Sequence, residues 1–376
     1  MGKIRIGIIG GGLAGLSLAI LSARRGFEVI LFEKNTYPFH RVCGEYISLE
    51  SYPFLEKLGL PLAQWQLPII KNLEVSSPNG TTLSEKLPLG GIGISRYFLD
   101  DELAIIARRE GVMLLEKHTV NSVEFSENTF SVSVNQKTYR FDICVGSFGK
   151  KSNLDVAWKR PFVQNSATRL NNYIGVKYHI QTEFPKDKIA LHNFEDGYCG
   201  ISAIENDKYC LCYLTTAKNL KKSGNSIEQM QANILYRNRF LKDIFTNSDF
   251  LLTEPITISQ VSFESKSLVE NHILMLGDAA GMITPLCGNG MSMALHASKI
   301  AFELIEKFAN GEISRTELEN QYIHQWKKQF SLRLWVGRQI QARFGNEFQT
   351  ELLVKSIKPF PFLLKKLISL THGEAF

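Results

Sequence analysis

The sequence predicts an α/β fold: a parallel-sheet domain at the N-terminus, an α+β insertion rich in strands, and a helical C-terminal segment. Three observations carry this. Residues 3–33 read as strand, glycine turn, helix and strand; a second apolar strand near residue 275 ends in a run of small residues; and the segments between them alternate apolar and polar residues. At 376 residues the chain has room for two or three domains. Its 44% hydrophobic and 21% charged residues exclude disordered, collagen-like and coiled-coil classes.

Lys3–Ile9 reads as a buried strand, Gly10–Gly12 as a turn, and Leu13–Arg25 as a helix stopped by Gly26. Glu28–Phe32 is the next strand, with Glu33 at its end. Within this unit Gly10-Gly11-Gly12-Leu13-Ala14-Gly15 is a G-x-G-x-x-G that follows a strand and opens a helix. Such glycines permit a tight turn and close backbone approach to a pyrophosphate, while the helix N-terminus supplies N–H donors and positive dipole. Glu33 is placed to accept from ribose hydroxyls, and an acid there favours an unphosphorylated ribose, as in FAD or NAD. The unit is Rossmann-like.

Arg96 opens a helix with Leu99, Leu103, Ile106 and Ala107 on one face, and Glu124–Ser126 with Phe130–Val134 forms a hairpin-like pair. Tyr173–Ile180, Gly197–Ala203 and Lys208–Thr215 read as strands, Lys218–Asn225 as a polar loop, and the residues after it as a helix through about Lys242. Asn271–Leu276 is an apolar strand followed by Gly277-Asp278-Ala279-Ala280-Gly281, then Pro285-Leu286-Cys287-Gly288-Asn289-Gly290 and a helix from Met291 to Phe308. Asp278 suits polyol hydroxyls, and the Gly288–Gly290 turn aims a second helix N-terminus at negative charge. The expected domains are 1–70, 96–155 and 266–310 for the cofactor, 71–95 and 156–265 for the substrate, and 311–376 as C-terminal helices.

The net charge is +6, and residues 321–376 carry nine Lys or Arg against three acids, so the rest of the chain is neutral and no globally basic nucleic-acid binder is expected. Lys355–Leu370 sets Phe360, Leu363, Leu364, Leu367 and Ile368 at helical spacing with Lys365 and Lys366 opposite; it reads as a helix docked on the core or touching an anionic membrane or carrier protein. The six cysteines have no zinc or C-x-x-C spacing, so free thiols and no metal are expected. No apolar stretch reaches the ~18 residues of a membrane span, and the Ile4–Leu21 run lacks a cleavage pattern, which points to a cytoplasmic protein, at most peripheral to a membrane.

Gly10-x-Gly12-x-x-Gly15 with Glu33, and Gly277-Asp278-Ala279-Ala280 with Pro285-x-x-Gly288-x-Gly290, resemble the two ends of the FAD site in group A flavoprotein monooxygenases of para-hydroxybenzoate hydroxylase type. That superfamily includes geranylgeranyl reductases and flavin-dependent halogenases. The resemblance implies a glutathione-reductase-like FAD domain in which Gly10, Gly12, Leu13, Ala14, Gly15, Glu33, Lys34, Arg41, Arg96, Val120, Gly277, Asp278, Pro285, Gly288, Asn289, Gly290 and Met291 approach the cofactor. It departs from the family at Phe148, which stands where an Asp-Gly pair has its acid.

His40-Arg41-Val42-Cys43-Gly44-Glu45 resembles the Cys-Gly-Glu of the reductases, and makes Cys43 and Glu45 the candidate proton donors for saturating an alkene. The Tyr-x-Trp-x-Phe-Pro string of the reductases and the Trp-x-Trp-x-Ile-Pro of the halogenases are absent, which leaves halogenation the weakest reading. The expectation is an FAD-dependent monooxygenase that hydroxylates an aromatic or lipophilic small molecule through a flavin C4a-hydroperoxide. Its electrons would come from NAD(P)H or a separate reductase. A reductase of alkene bonds and a non-catalytic FAD-binding partner are the alternatives.

Overall fold

The computed structural model describes residues 3–164, 172–283, 288–343, 347–359, 361–371 and 373–376. Strand Arg5–Ile9 lies mid-sheet, pairing in parallel with Glu28–Phe32 on one side and Ile143–Gly146 on the other. Met113–Leu115 extends the sheet beyond Glu28–Phe32, and Ile273–Met275 with the short antiparallel Val269–Glu270 extends it beyond Ile143–Gly146. Strand order therefore reverses at Arg5–Ile9, and an open α/β sheet binds ligands outside the C-terminal ends of its strands at such a point. Both faces are covered, which is why Ile6, Ile8, Leu31 and Val145 form near-continuous apolar runs with no exposure. Helix Leu13–Arg24, buried almost all round, packs between helices Arg96–Arg109 and Gly290–Ala309.

The second sheet has nine strands. From one edge it runs Tyr46–Ser48, Thr82–Gly93, Ile69–Ser76, Lys188–Phe194, Gly197–Ile204, Lys208–Thr216 and Tyr173–Gln181, with Asp249–Phe250 and Ile256–Val261 both pairing to the last of these. Its back is closed by helices Ile227–Asn233 and Arg239–Asn247, whose Met230, Leu241 and Phe245 bury Val176, Tyr178, Leu211 and Tyr213.

Several expectations are corrected. Tyr46–Ser48, expected in the first domain, belongs to the second sheet through Ile47 opposite Ile92, because residues 41–46 cross from one lobe to the other. Ala217–Lys222 is a short helix, not a loop, since the buried Asn219 amide donates to Glu195 O at 2.6 Å and Thr215 Oγ1 at 2.9 Å. The helix expected to follow is broken at Leu235–Arg237 and restarts where the Asn238 side chain accepts from Phe240 N at 3.0 Å. The hairpin gains a third strand, Lys137–Phe141. The C-terminal helix is two, Glu347–Ile357 and Pro361–Thr371, because Pro359 and Pro361 lack the N–H that would carry a single helix through. Val354, Ile357, Leu364 and Leu367 dock on Leu83 of the second sheet; Phe360 and the side chain of Leu363 lie outside the described residues. Among the described residues no helix is long and apolar enough to cross a membrane.

Arg160 ties these parts together. It is fully buried, donates to Asp155 Oδ1 at 2.7 Å, and reaches Ser267 O at 2.8 Å and Ala279 O at 3.1 Å, so it holds the small-residue turn after Ile273–Met275. Arg160→Met leaves Asp155 as an uncompensated buried charge. We expect a loss of about 3–5 kcal/mol in urea unfolding; a change below about 1 kcal/mol would contradict this placement.

Candidate active site

The site forms where the two halves of the cofactor domain meet. Gly10 has φ +104°, and a Cβ there would lie 2.5 Å from Ser147 O; one on Gly15 would lie 2.1 Å from Gly10 O. Gly12 differs, because a Cβ there meets only Arg96 Nη2, at 3.6 Å. The first helix thus opens its N-terminus into free space beside a guanidinium, an arrangement suited to a phosphate. Gly277, at φ +57°, would bring a Cβ within 3.6 Å of both Ala14 and Ala294, so the two distant motifs are in contact. Asp278 Oδ2 stands 3.7 Å from Lys150 Nζ, and Gly288 abuts the Tyr46 ring. Asn289 is buried just before the helix that Gly290 opens, and Met291 is buried in its first turn, while Pro285 lies outside the described residues.

Glu33 is 4% exposed, and its carboxylate accepts from Gly11 N at 2.9 Å and Asn35 N at 2.9 Å. Lys34 is exposed beside it. Val120 is buried, its carbonyl accepting from Asn153 Nδ2 at 2.9 Å. Arg41 donates to Gly11 O at 3.2 Å and Asp100 Oδ2 at 2.9 Å, and pairs with Glu33 at 3.3 Å. Arg96 makes two 2.7 Å bonds to the same Asp100, which is fully buried. Burial alone would lower the Arg96 pKa, but the Asp100 carboxylate outweighs it and raises it.

Glu45 occupies the left-handed region at φ +56° with its side chain fully buried. Oε1 accepts from Arg96 N at 2.8 Å and from Lys177 Nζ, and Oε2 lies 2.7 Å from His179 Nε2. Burial opposes its ionisation, yet Lys177 and His179 pull the pKa down to about 2. Held by these partners, Glu45 favours the carboxylate form, which argues against the proton-donor role expected from the sequence. Cys43 is half-buried, and its Sγ accepts from Glu45 N at 3.5 Å.

Sequence reasoning missed Asp100, Lys177 and His179. Their signal was present: Lys177 and His179 are polar residues two apart in Tyr173–Gln181, a strand otherwise apolar and buried up to its last residue, and Asp100 sits four residues after Arg96 next to an apolar helix face. Among the described residues no cluster of three or more His, Cys, Asp or Glu could hold a metal.

Residues 8–43 match the family model described as NAD(P)-binding Rossmann-like domain. Conditioned medium factor receptor 1 of Dictyostelium discoideum is 25% identical over 97% of this chain and 73% of its own length. Digeranylgeranylglycerophospholipid reductase of Methanococcus vannielii is 24% identical over 85% of this chain and 81% of its own. Among solved structures, the flavin-dependent brominase Bmp2 superposes with a TM-score of 0.80 at 17% identity, covering 100% of this chain and 94% of that one. A geranylgeranyl bacteriochlorophyll reductase-like protein of Thermoplasma acidophilum gives 0.74 at 17% identity, covering 98% and 100%; these two likenesses speak for the fold. Fold and matches together support an FAD-dependent oxidoreductase. The chain is similar to group A flavoproteins, and its sequence relatives include enzymes of the geranylgeranyl reductase branch.

The open face at Gly12, the buried Glu33 carboxylate and the touching turns at Ala14 and Gly277 fit an extended dinucleotide. Gly12→Ala should leave the apoprotein's melting temperature within about 1 °C of wild type, since its Cβ meets no protein atom closer than 3.6 Å, yet weaken FAD at least about tenfold by titration into apoprotein. Unchanged affinity would place the pyrophosphate elsewhere. Glu45 has a folded pKa of about 2 against an ordinary 4.5, so its contribution to stability is complete above about pH 5 and is lost as pH falls toward 2. In urea midpoints measured across that window, Glu45→Gln should be less stable than wild type at pH 7 and show a shallower acid decline; parallel curves would refute the assignment.

Proposed function

We propose that this protein is an FAD-dependent reductase that saturates alkene bonds in a lipophilic, polyprenyl-type substrate. The observation that carries the reading is Cys43, a half-buried thiol on the crossing segment 41–46 whose Sγ lies 3.5 Å from the backbone N of Glu45, the residue paired with Lys177. Bound and reduced FAD supplies the electron pair with one hydrogen. The chain's part is to deliver the proton to the other alkene carbon from the Cys43 thiol and to recover it from solvent. Glu45, as a carboxylate, holds Lys177 directly and the start of the Arg96 helix through the Arg96 N–H.

Two further features support a lipophilic substrate. The sequence relatives include reductases of digeranylgeranylglycerophospholipids over most of their length. The front of the second sheet carries Val75, Leu191, Leu214 and Phe263 as one apolar cluster with Met282, four residues after Asp278. NAD(P)H or a separate reductase would restore the electrons. Lys355, Lys358, Lys365 and Lys366 are exposed, which suits contact with an anionic membrane or carrier protein.

Monooxygenation of an aromatic or lipophilic molecule is the second reading, favoured by the scarcity of acids: with Glu45 ionised, the crossing segment offers the Cys43 thiol and the buried Tyr46 phenol, and hydroxylation demands no acid. Dithionite-reduced protein mixed anaerobically with a geranylgeranyl lipid separates the two. The reductase consumes the alkene without oxygen, and Cys43→Ser lowers that rate about a hundredfold. No consumption until oxygen is admitted means a monooxygenase, and no consumption with either means a flavin-binding partner protein.

A further inference from the structure

We infer that Lys177, which lies in the second sheet, is a positioning residue for the cofactor site: it fixes the 41–45 segment and, through it, holds Arg41 against the glycine turn. This goes beyond the reductase reading and does not depend on the substrate.

The segment has no strand partner along 41–44, yet each of its four carbonyls receives a side-chain donor from elsewhere in the fold. Lys177 Nζ donates to Arg41 O at 3.2 Å, Lys150 Nζ to Val42 O at 3.2 Å, Cys210 Sγ to Cys43 O at 3.3 Å and Ser202 Oγ to Gly44 O at 3.3 Å. Three of these donors share one face of the second sheet, since Lys177 pairs across with Cys212, His179 with Cys210, and Ser202 with Cys210. The segment lies flush on that face: a Cβ on Gly175 would come within 2.9 Å of Val42 Cγ1.

Lys177 contributes twice, because it also pairs with the Glu45 carboxylate with both side chains fully buried. Burial lowers its pKa, but the Glu45 carboxylate and its other neighbours together more than offset this and raise it. Its bond to Arg41 O sits on the residue whose side chain reaches Gly11 O, Glu33 and Asp100. Releasing that carbonyl lets the Arg41 backbone drift from the turn, although Lys177 itself is bonded to no atom of residues 10–15. The effect on FAD should therefore be carried mainly by Arg41, with a smaller part passing through Glu45 to the Arg96 N–H.

A double-mutant cycle on FAD dissociation constants, measured by titrating FAD into apoprotein, tests this. Lys177→Met and Arg41→Met should each weaken FAD about tenfold, roughly one charge-assisted hydrogen bond, and the double variant should weaken it clearly less than the product of the two single losses. Hydrogen exchange in Lys177→Met apoprotein should accelerate in the peptide covering 38–48 and match wild type in the peptide covering 5–32. Additive losses, or wild-type FAD affinity in Lys177→Met, would overturn the inference. Should Lys177→Met fail to fold, Ser202→Ala removes only the donor to Gly44 O: faster exchange at 38–48 with about threefold weaker FAD supports it, and wild-type values in both measurements overturn it.

Discussion

The arrangement rests on a buried carboxylate. Glu45 carries a negative charge with no exposed side-chain surface, in a backbone conformation that a side-chain-bearing residue rarely adopts. Taking such a charge out of water is tolerable only with complete compensation, and here Lys177, His179 and the Arg96 N–H provide it from two different lobes. The same bonds bring the start of helix Arg96–Arg109 to the crossing segment and the front of the second sheet to both. Remove the charge and three elements lose their common point of attachment.

Around it the charges form a continuous chain. Glu33 meets Arg41, Arg41 and Arg96 share Asp100, Arg96 N meets Glu45, and Glu45 meets Lys177. Arg96 Nη2 in turn faces the open side of Gly12. The cradle for a dinucleotide and the thiol-bearing segment therefore belong to one electrostatic network, which runs from the first glycine turn to the second sheet without passing through the apolar core. Lys150 adds a further link, from Val42 O to Asp278.

Much of this was legible in the sequence. The strand-turn-helix-strand unit followed from periodicity and glycine spacing, and the contact of Ala14 with Gly277 follows the pairing of motifs that the resemblance implied across more than 250 residues. What was not legible is what depends on side chains meeting across lobes. Nothing local distinguishes an acid that gives up a proton from one paired with a lysine 132 residues further on, and the Glu45–Lys177 pair was therefore not foreseen. Nor could periodicity reveal that Tyr46–Ser48 pairs with Thr82–Gly93, since a three-residue strand has no pattern to read. The divided C-terminal helix was legible in Pro359 and Pro361, whose effect on the backbone outweighs apolar spacing.

The four carbonyl rungs bear on how the molecule can breathe. Residues 41–46 begin at the glycine turn and end as an edge strand of the opposite lobe, so a clamshell opening of the lobes would have to snap the rungs together with the Glu45 pairings. Such a set resists separation but yields to sliding, because bonds perpendicular to a segment can trade partners as it slips along its own axis.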